Sequence, residues 1–136
     1  MRLREMVGAG AGTILIAVRD GELADSLRFS LELEGFGVRL YDEFSLLDAV
    51  AGIPGRGCLV IDQAVFARLA DGGPLPVGRD LPVVLMVGQN TERVAARARA
   101  AGVSKVVETP LFGGALSDAI KAALEDWASR AAPRRS

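Results

Sequence analysis

The sequence predicts one α/β domain in which strands and helices alternate around a parallel sheet. Three observations predict it. Apolar strand-like runs alternate with amphipathic stretches five times between residues 13 and 128. The run at residues 13–18 is apolar or β-branched throughout, as expected of a central parallel strand covered on both faces. The chain has 136 residues, 50% hydrophobic and 24% charged, which is the size and mix of a single folded domain.

Each element has its own justification. Thr13-Ile14-Leu15-Ile16-Ala17-Val18 is the first strand. Glu22 to Glu34 sets Leu23, Leu27, Leu31 and Leu33 on or near one helical face, and Gly35 stops the helix. Gly37-Val38-Arg39-Leu40-Tyr41 alternates like a half-exposed strand. Phe44 to Ala51, with Leu46, Leu47 and Val50, reads as a short helix. Cys58 to Asp62 is the third strand, followed by a weak helix around Val65 to Leu69. A loop runs from Asp71 to Pro76, and Leu81 to Val87 is the fourth strand. Thr91 to Ala101 is alanine-rich and helix-prone, closed by Gly102. Lys105 to Glu108 is a short fifth strand. Phe112 to about Arg130 is the last helix, with Leu116, Ile120, Ala123, Leu124 and Trp127 on its apolar stripe. Residues 1–12 read as a flexible leader and 129–136 as a tail, leaving 13–128 as the domain.

Strict alternation implies right-handed crossovers and helices on both faces of the sheet. The expected arrangement is flavodoxin-like (βα)5, with five parallel strands in the order 2-1-3-4-5. The crevice of such a sheet lies at the carboxyl ends of the first and third strands. That geometry points at Val18-Arg19-Asp20 and Asp62. The glycines of Gly8-Ala9-Gly10-Ala11-Gly12 precede the first strand, so they cannot cradle a dinucleotide after it.

Composition excludes several functions. With 16 basic and 17 acidic residues the net charge is −1, which leaves no nucleic-acid footprint. The ending Pro133-Arg134-Arg135-Ser136 reads as a solvated tail. Histidine is absent, which removes an imidazole base, an imidazole metal ligand and a phosphohistidine. Cys58 is the one cysteine and reads as a small core residue. It allows no internal disulfide, which suits a reducing, cytoplasmic setting. No apolar stretch approaches the roughly 18 residues of a membrane span, and no membrane partner is expected.

The residues themselves carry a family resemblance. Ile14-Leu15-Ile16-Ala17-Val18-Arg19-Asp20-Gly21-Glu22-Leu23, Glu34-Gly35-Phe36-Gly37-Val38 and Leu59-Val60-Ile61-Asp62 occur in the right order and spacing. So do Leu81 to Val87, Ala100-Ala101-Gly102-Val103 and Glu108-Thr109-Pro110-Leu111-Phe112. Together they resemble the CheY-like receiver domain of bacterial two-component response regulators, from about Thr13 to Ala128. The resemblance implies Asp62 at the phosphoacceptor position and a cis peptide bond before Pro110.

It also exposes departures. The family's acidic pair falls on Val18 and Arg19, its Thr or Ser on Val87, and its Lys on Thr109. The aromatic switch position falls on Val106. The site would be lined by Val18, Arg19, Asp20, Ala64, Val87, Gly88, Thr109 and Pro110. Asp20 is placed beside the site, because sliding it into the acidic slot would turn Leu23, Leu27 and Leu31 by about 100° from the core. Replacing two carboxylates by valine and a guanidinium changes the local charge from about −2 to +1. At ~5 Å and an effective dielectric of ~20, each unit charge is worth roughly 3 kcal/mol against a unit cation. Any Mg²⁺ site is therefore expected to be weak, with Asp20 and Asp62 its remaining candidate ligands and Glu22 or Glu108 as partial substitutes. The Arg19 guanidinium is expected either to reach Asp62 in place of the metal or to point to solvent.

No catalytic residue is assigned, and the chain is not expected to be an enzyme. The leading expectation is a stand-alone atypical response regulator of a phosphorelay, with Asp62 as phosphoacceptor and output by protein–protein interaction. The partners implied are a sensor histidine kinase, a phosphotransfer protein or a second copy, in a homodimer. The expected interface is the face of the fourth helical stretch, fifth strand and last helix, with Arg93, Arg97, Lys105, Asp118, Lys121 and Trp127. The alternatives are a phosphorylation-independent pseudo-receiver with Arg19 replacing the metal site, and a flavodoxin-like binder of a small molecule.

Overall fold

In the computed structural model, residues 12–42, 45, 57–71, 73, 75, 81–111 and 114–131 are described. The strands are β1 (Thr13–Ala17), β2 (Gly37–Leu40), β3 (Gly57–Asp62), β4 (Val83–Val87) and β5 (Lys105–Glu108). The described helices are α1 (Gly21–Leu33), α2 (Gln63–Ala70), α3 (Glu92–Ala101) and α4 (Ala115–Ala131). The helix expected over Phe44 to Ala51 lies outside the described residues, apart from Ser45. So do the leader through residue 11 and the end of the tail from 132.

All four strand pairings are parallel, in the order β2-β1-β3-β4-β5. The flavodoxin-like arrangement is thus the one observed. Register aligns the central strands in rows, Ile16↔Val60↔Val84 and Ala17↔Ile61↔Leu85. Alternation of side chains then sends each row to one face. Leu15, Ala17, Leu59, Ile61, Val83, Leu85 and Val87 pack under α2 and α3, with Val65, Phe66, Ala98 and Ala101. Ile14, Ile16, Cys58, Val60, Val84 and Met86 pack under α1 and α4, with Ala24, Leu27, Leu31, Leu116 and Ile120. Both faces of β1, β3 and β4 are therefore dry, which explains their continuous apolar sequence.

Boundaries differ from expectation for identifiable reasons. α1 starts one residue early because Asp20 caps it, accepting from the amides of Glu22 at 2.9 Å and Leu23 at 3.2 Å. Its end is set by Gly35, at φ 98°, a conformation glycine adopts without steric cost. α2 begins at Gln63, two residues before the expected start, because Asp62 closes β3 and caps the helix at the same time. β4 begins at Val83 rather than Leu81, just past Pro82, which has no N–H to give a ladder. α4 begins at Ala115, after Gly114 rather than at Phe112.

Cys58 is fully buried, and desolvation pushes its thiol from 9.0 up to about 12. Below pH 9 both folded and unfolded thiols are neutral. Between pH 9 and 12 only the unfolded thiol ionises, so stability falls as pH rises through that window. Denaturant midpoints measured from pH 8 to 11 should show this fall, and a Cys58→Ala variant should show less of it. Thiol reagents at pH 8 should label the wild-type chain only when denaturant unfolds it.

Candidate functional site

The carboxyl ends of β1, β3, β4 and β5 meet at one edge of the sheet. Ala17 pairs with Ile61, so the next residues, Val18 and Asp62, stand side by side. Asp62 pairs with Met86, and Val87 pairs with Glu108. The backbone N–H of Thr109 then donates to the Val87 carbonyl at 2.8 Å. The structure therefore brings Val18, Arg19, Asp62, Val87, Gly88 and Thr109 together at the crevice. Ala64 is exposed in the first turn of α2, and Pro110 follows Thr109 through a cis peptide bond. The cis geometry implied by the resemblance is present.

Asp62 is half-buried, and both of its carboxylate oxygens have backbone donors. Oδ2 accepts from the Arg19 N–H at 2.9 Å, and Oδ1 accepts from the Val65 N–H at 2.9 Å. The first bond ties the turn after β1 to the end of β3. The second caps α2. One carboxylate thereby supplies two amides that would otherwise lack partners, at the start of a helix and in a turn. The main-chain N–H of Arg19 is thus one tie between the turn after β1 and Asp62. The turn presents the amide of residue 19 to Asp62, so this bond needs no particular side chain at that position.

The other acidic candidates are also engaged with amides. Asp20 Oδ1 caps α1, and Glu108 Oε2 accepts from the Asn90 N–H at 2.7 Å. Among the described residues, no group of three or more acidic or cysteine side chains is placed to hold a metal ion. The donor set itself does not fit Mg²⁺. Val18 offers no oxygen from its side chain, Arg19 brings positive charge, and both Asp62 oxygens are directed at N–H groups.

Val87 has no hydroxyl, and Thr109 uses its own to donate to the Val87 carbonyl at 3.3 Å. Gln63, the residue after Asp62, accepts from the Gly88 N–H through Oε1 at 3.1 Å. Its importance was not visible in the sequence, where nothing marks the first residue of a short helix as reaching across to β4. Val106 is half-buried and packs against the α2 and α3 side of the core.

An open groove of about 620 Å³ runs beside β5, lined by Val106, Glu108, Thr109, Pro110, Ala115 and Ala119 among others, and Asp62 does not border it. The six residues of the expected interface face have these contacts. Lys105 pairs with Asp126 of α4 at 3.1 Å. Lys121 instead turns to Glu34 at the end of α1, at 3.7 Å. Arg97 lies over the Phe66 ring of α2, 6.0 Å from its centroid. Arg93 and Asp118 are exposed and Trp127 is half-buried.

Five parallel strands in this order, a lone carboxylate ending the central strand and a cis-proline turn opposite it define a receiver-like domain. The comparisons with known proteins agree. No family model matches the chain. The chain is 30% identical over 123 residues to the transcriptional regulatory protein FixJ of Bradyrhizobium diazoefficiens, covering 83% of this chain and 57% of FixJ. It thus spans little more than half the length of that relative. Its fold is similar to the crystal structure of FixJ-N, with TM-score 0.68, 23% identity, and 84% and 94% of the two chains covered. It is also similar to a CheY-like response regulator receiver domain protein of Methanospirillum hungatei, with TM-score 0.67, 18% identity, and 88% and 98% covered. The chain thus has the fold of CheY-like receiver domains and is similar in sequence to FixJ.

Substituting Asp62 should reveal its structural role. Asp62→Ala leaves the amides of Arg19 and Val65 without their acceptor and should lower stability by about 1–2 kcal/mol. Asp62→Asn keeps one acceptor oxygen for the cap and should lose less. Urea denaturation of the three proteins checks the order, wild type above Asn above Ala.

Proposed function

We propose that the chain is an atypical response-regulator receiver that acts by protein–protein contact, with Asp62 serving as a structural cap rather than as a Mg²⁺-dependent phosphoacceptor. The observation that carries this reading is the pair of N–H bonds that the Asp62 carboxylate accepts, from Arg19 and Val65, which give it a structural task. Phosphoryl transfer would also need positive charge held beside it to neutralise the incoming group, and the residues in the acidic-pair positions, Val18 and Arg19, supply no carboxylate to hold a metal ion there. The lost hydroxyl at Val87 and the lost ammonium at Thr109 point the same way.

Such a domain is a binding module and not an enzyme. Its partners are by class a sensor histidine kinase, a phosphotransfer protein or a second copy of itself in a homodimer, met in the cytoplasm. No described helix is long and apolar enough to cross a membrane. The groove beside β5 offers a partner a mixed surface, with the small side chains of Ala115 and Ala119 facing Glu108 and Thr109.

The second reading is a phosphorelay regulator in which Asp62 accepts a phosphoryl group. One observation favours it: Asp62 is half-buried at the mouth of the crevice, where a donor can approach.

Incubation with acetyl phosphate and Mg²⁺, followed by intact mass spectrometry, separates the two. We expect no gain of about 80 Da, the mass of one phosphoryl group, in either the wild type or Asp62→Asn. A gain in the wild type that disappears in Asp62→Asn would overturn the proposed reading and establish the second. A phosphorylated kinase or phosphotransfer protein as donor is held to the same criterion.

A further inference from the structure

Residues 88–91 join β4 to α3 and are all exposed. Amides in an exposed loop ordinarily bond to water, yet two of these are held by side chains rooted on either side of β4. Gly88 N–H is bound by Gln63 from the start of α2, and Asn90 N–H by Glu108 from the end of β5. A third residue of the loop, Thr91, caps α3 by accepting from the Val94 N–H at 3.1 Å.

Both anchors are themselves fixed. Gln63 follows directly on Asp62, which is tied to the turn after β1 and to Val65. Glu108 is set by its register with Val87 on β4. Thr109 adds two bonds to the Val87 carbonyl, one from its backbone and one from its hydroxyl. The loop is therefore gripped at Val87, Gly88 and Asn90 by groups from two neighbouring elements. Val87 has no hydroxyl, and the grip here is already complete without one.

We infer that Gln63 and Glu108 form a clamp that holds residues 88–91 in one conformation whatever the state of Asp62. The surface that this loop presents is then written into the chain and not switched by a phosphoryl group. The inference deepens the proposed function and rests on it for its meaning, but the two can fail separately.

Amide hydrogen exchange on the full chain, resolved by residue, tests the clamp. Loss of one side-chain-to-backbone bond should speed exchange at its own amide roughly five- to tenfold. Gln63→Ala should do so at Gly88 and not at Asn90. Glu108→Ala should do so at Asn90 and not at Gly88. Glu108→Gln retains an acceptor oxygen and should stay near wild type, and amides of β1 should be unchanged in all three. Exchange at Gly88 and Asn90 that matches wild type in both alanine variants would overturn the clamp. So would a Glu108→Gln variant as fast as Glu108→Ala. A wild-type arm with acetyl phosphate and Mg²⁺ separates the two claims. A mass gain at Asp62 with Gly88 and Asn90 unmoved would sink the phosphorylation-independent reading and leave the clamp standing. A mass gain accompanied by altered exchange at those two amides would sink both.

Discussion

The constraint on which the rest of this structure depends is the burial of β1, β3 and β4 on both faces. Ile14 to Ala17, Cys58 to Ile61 and Val83 to Val87 are almost wholly withdrawn from solvent. A polar side chain within those runs would be desolvated with nothing to bond to. Polar chemistry can begin only where the strands end. The first such position on β3 is Asp62, and the chain turns there directly into α2. The start of a helix brings unsatisfied amides, and so does the turn after β1 that lies alongside. Asp62 answers both, which is why one residue is at once the end of a strand, the cap of a helix and the tie between two loops.

That economy bears on the missing acidic residues. Carboxylates crowded at one strand end repel one another and call for a cation. With Val18 and Arg19 beside it, Asp62 has no acidic neighbour in the slot, and backbone N–H dipoles are sufficient partners for one charge. The absence of the acidic pair and the commitment of Asp62 to two amides are therefore two sides of one arrangement. One strand over, Val87 keeps the strand end apolar, packed in the core under α2 and α3.

The fold was legible in the sequence because its signals are periodic. Apolar or β-branched runs at 13–18, 58–61 and 81–87 mark doubly covered strands, and leucines at 23, 27 and 31 mark one helix face. The expectation from the family resemblance of a cis bond before Pro110 was equally well placed. What the sequence hid depends on side chains meeting across distance in the chain. The bond from Gln63 to Gly88 spans 25 positions, and that from Asn90 to Glu108 spans 18. No local pattern encodes either. The bond from the Arg19 N–H to Asp62 was hidden for a related reason, because it belongs to the backbone, which every residue but proline could supply. The early start of α2 was missed because a strand-ending aspartate and a helix-capping aspartate look alike until the turn between them is known to have no length.

A domain with one loop conformation has consequences for how it can carry information. A ligand or modification shifts a conformational equilibrium only by the difference in its affinity for two states. Under the proposed reading the loop of residues 88–91 offers a single state, so a phosphoryl donor finds nothing there to shift. Partners would then be chosen by shape and charge alone, and their occupancy would follow the concentration of the domain. The groove beside β5 fits that mode. Val106 at the aromatic position and alanines at 115 and 119 leave it open, with no large ring to swing between inward and outward positions. Under that reading, regulation would have to come from the supply of the chain or from competition among its partners.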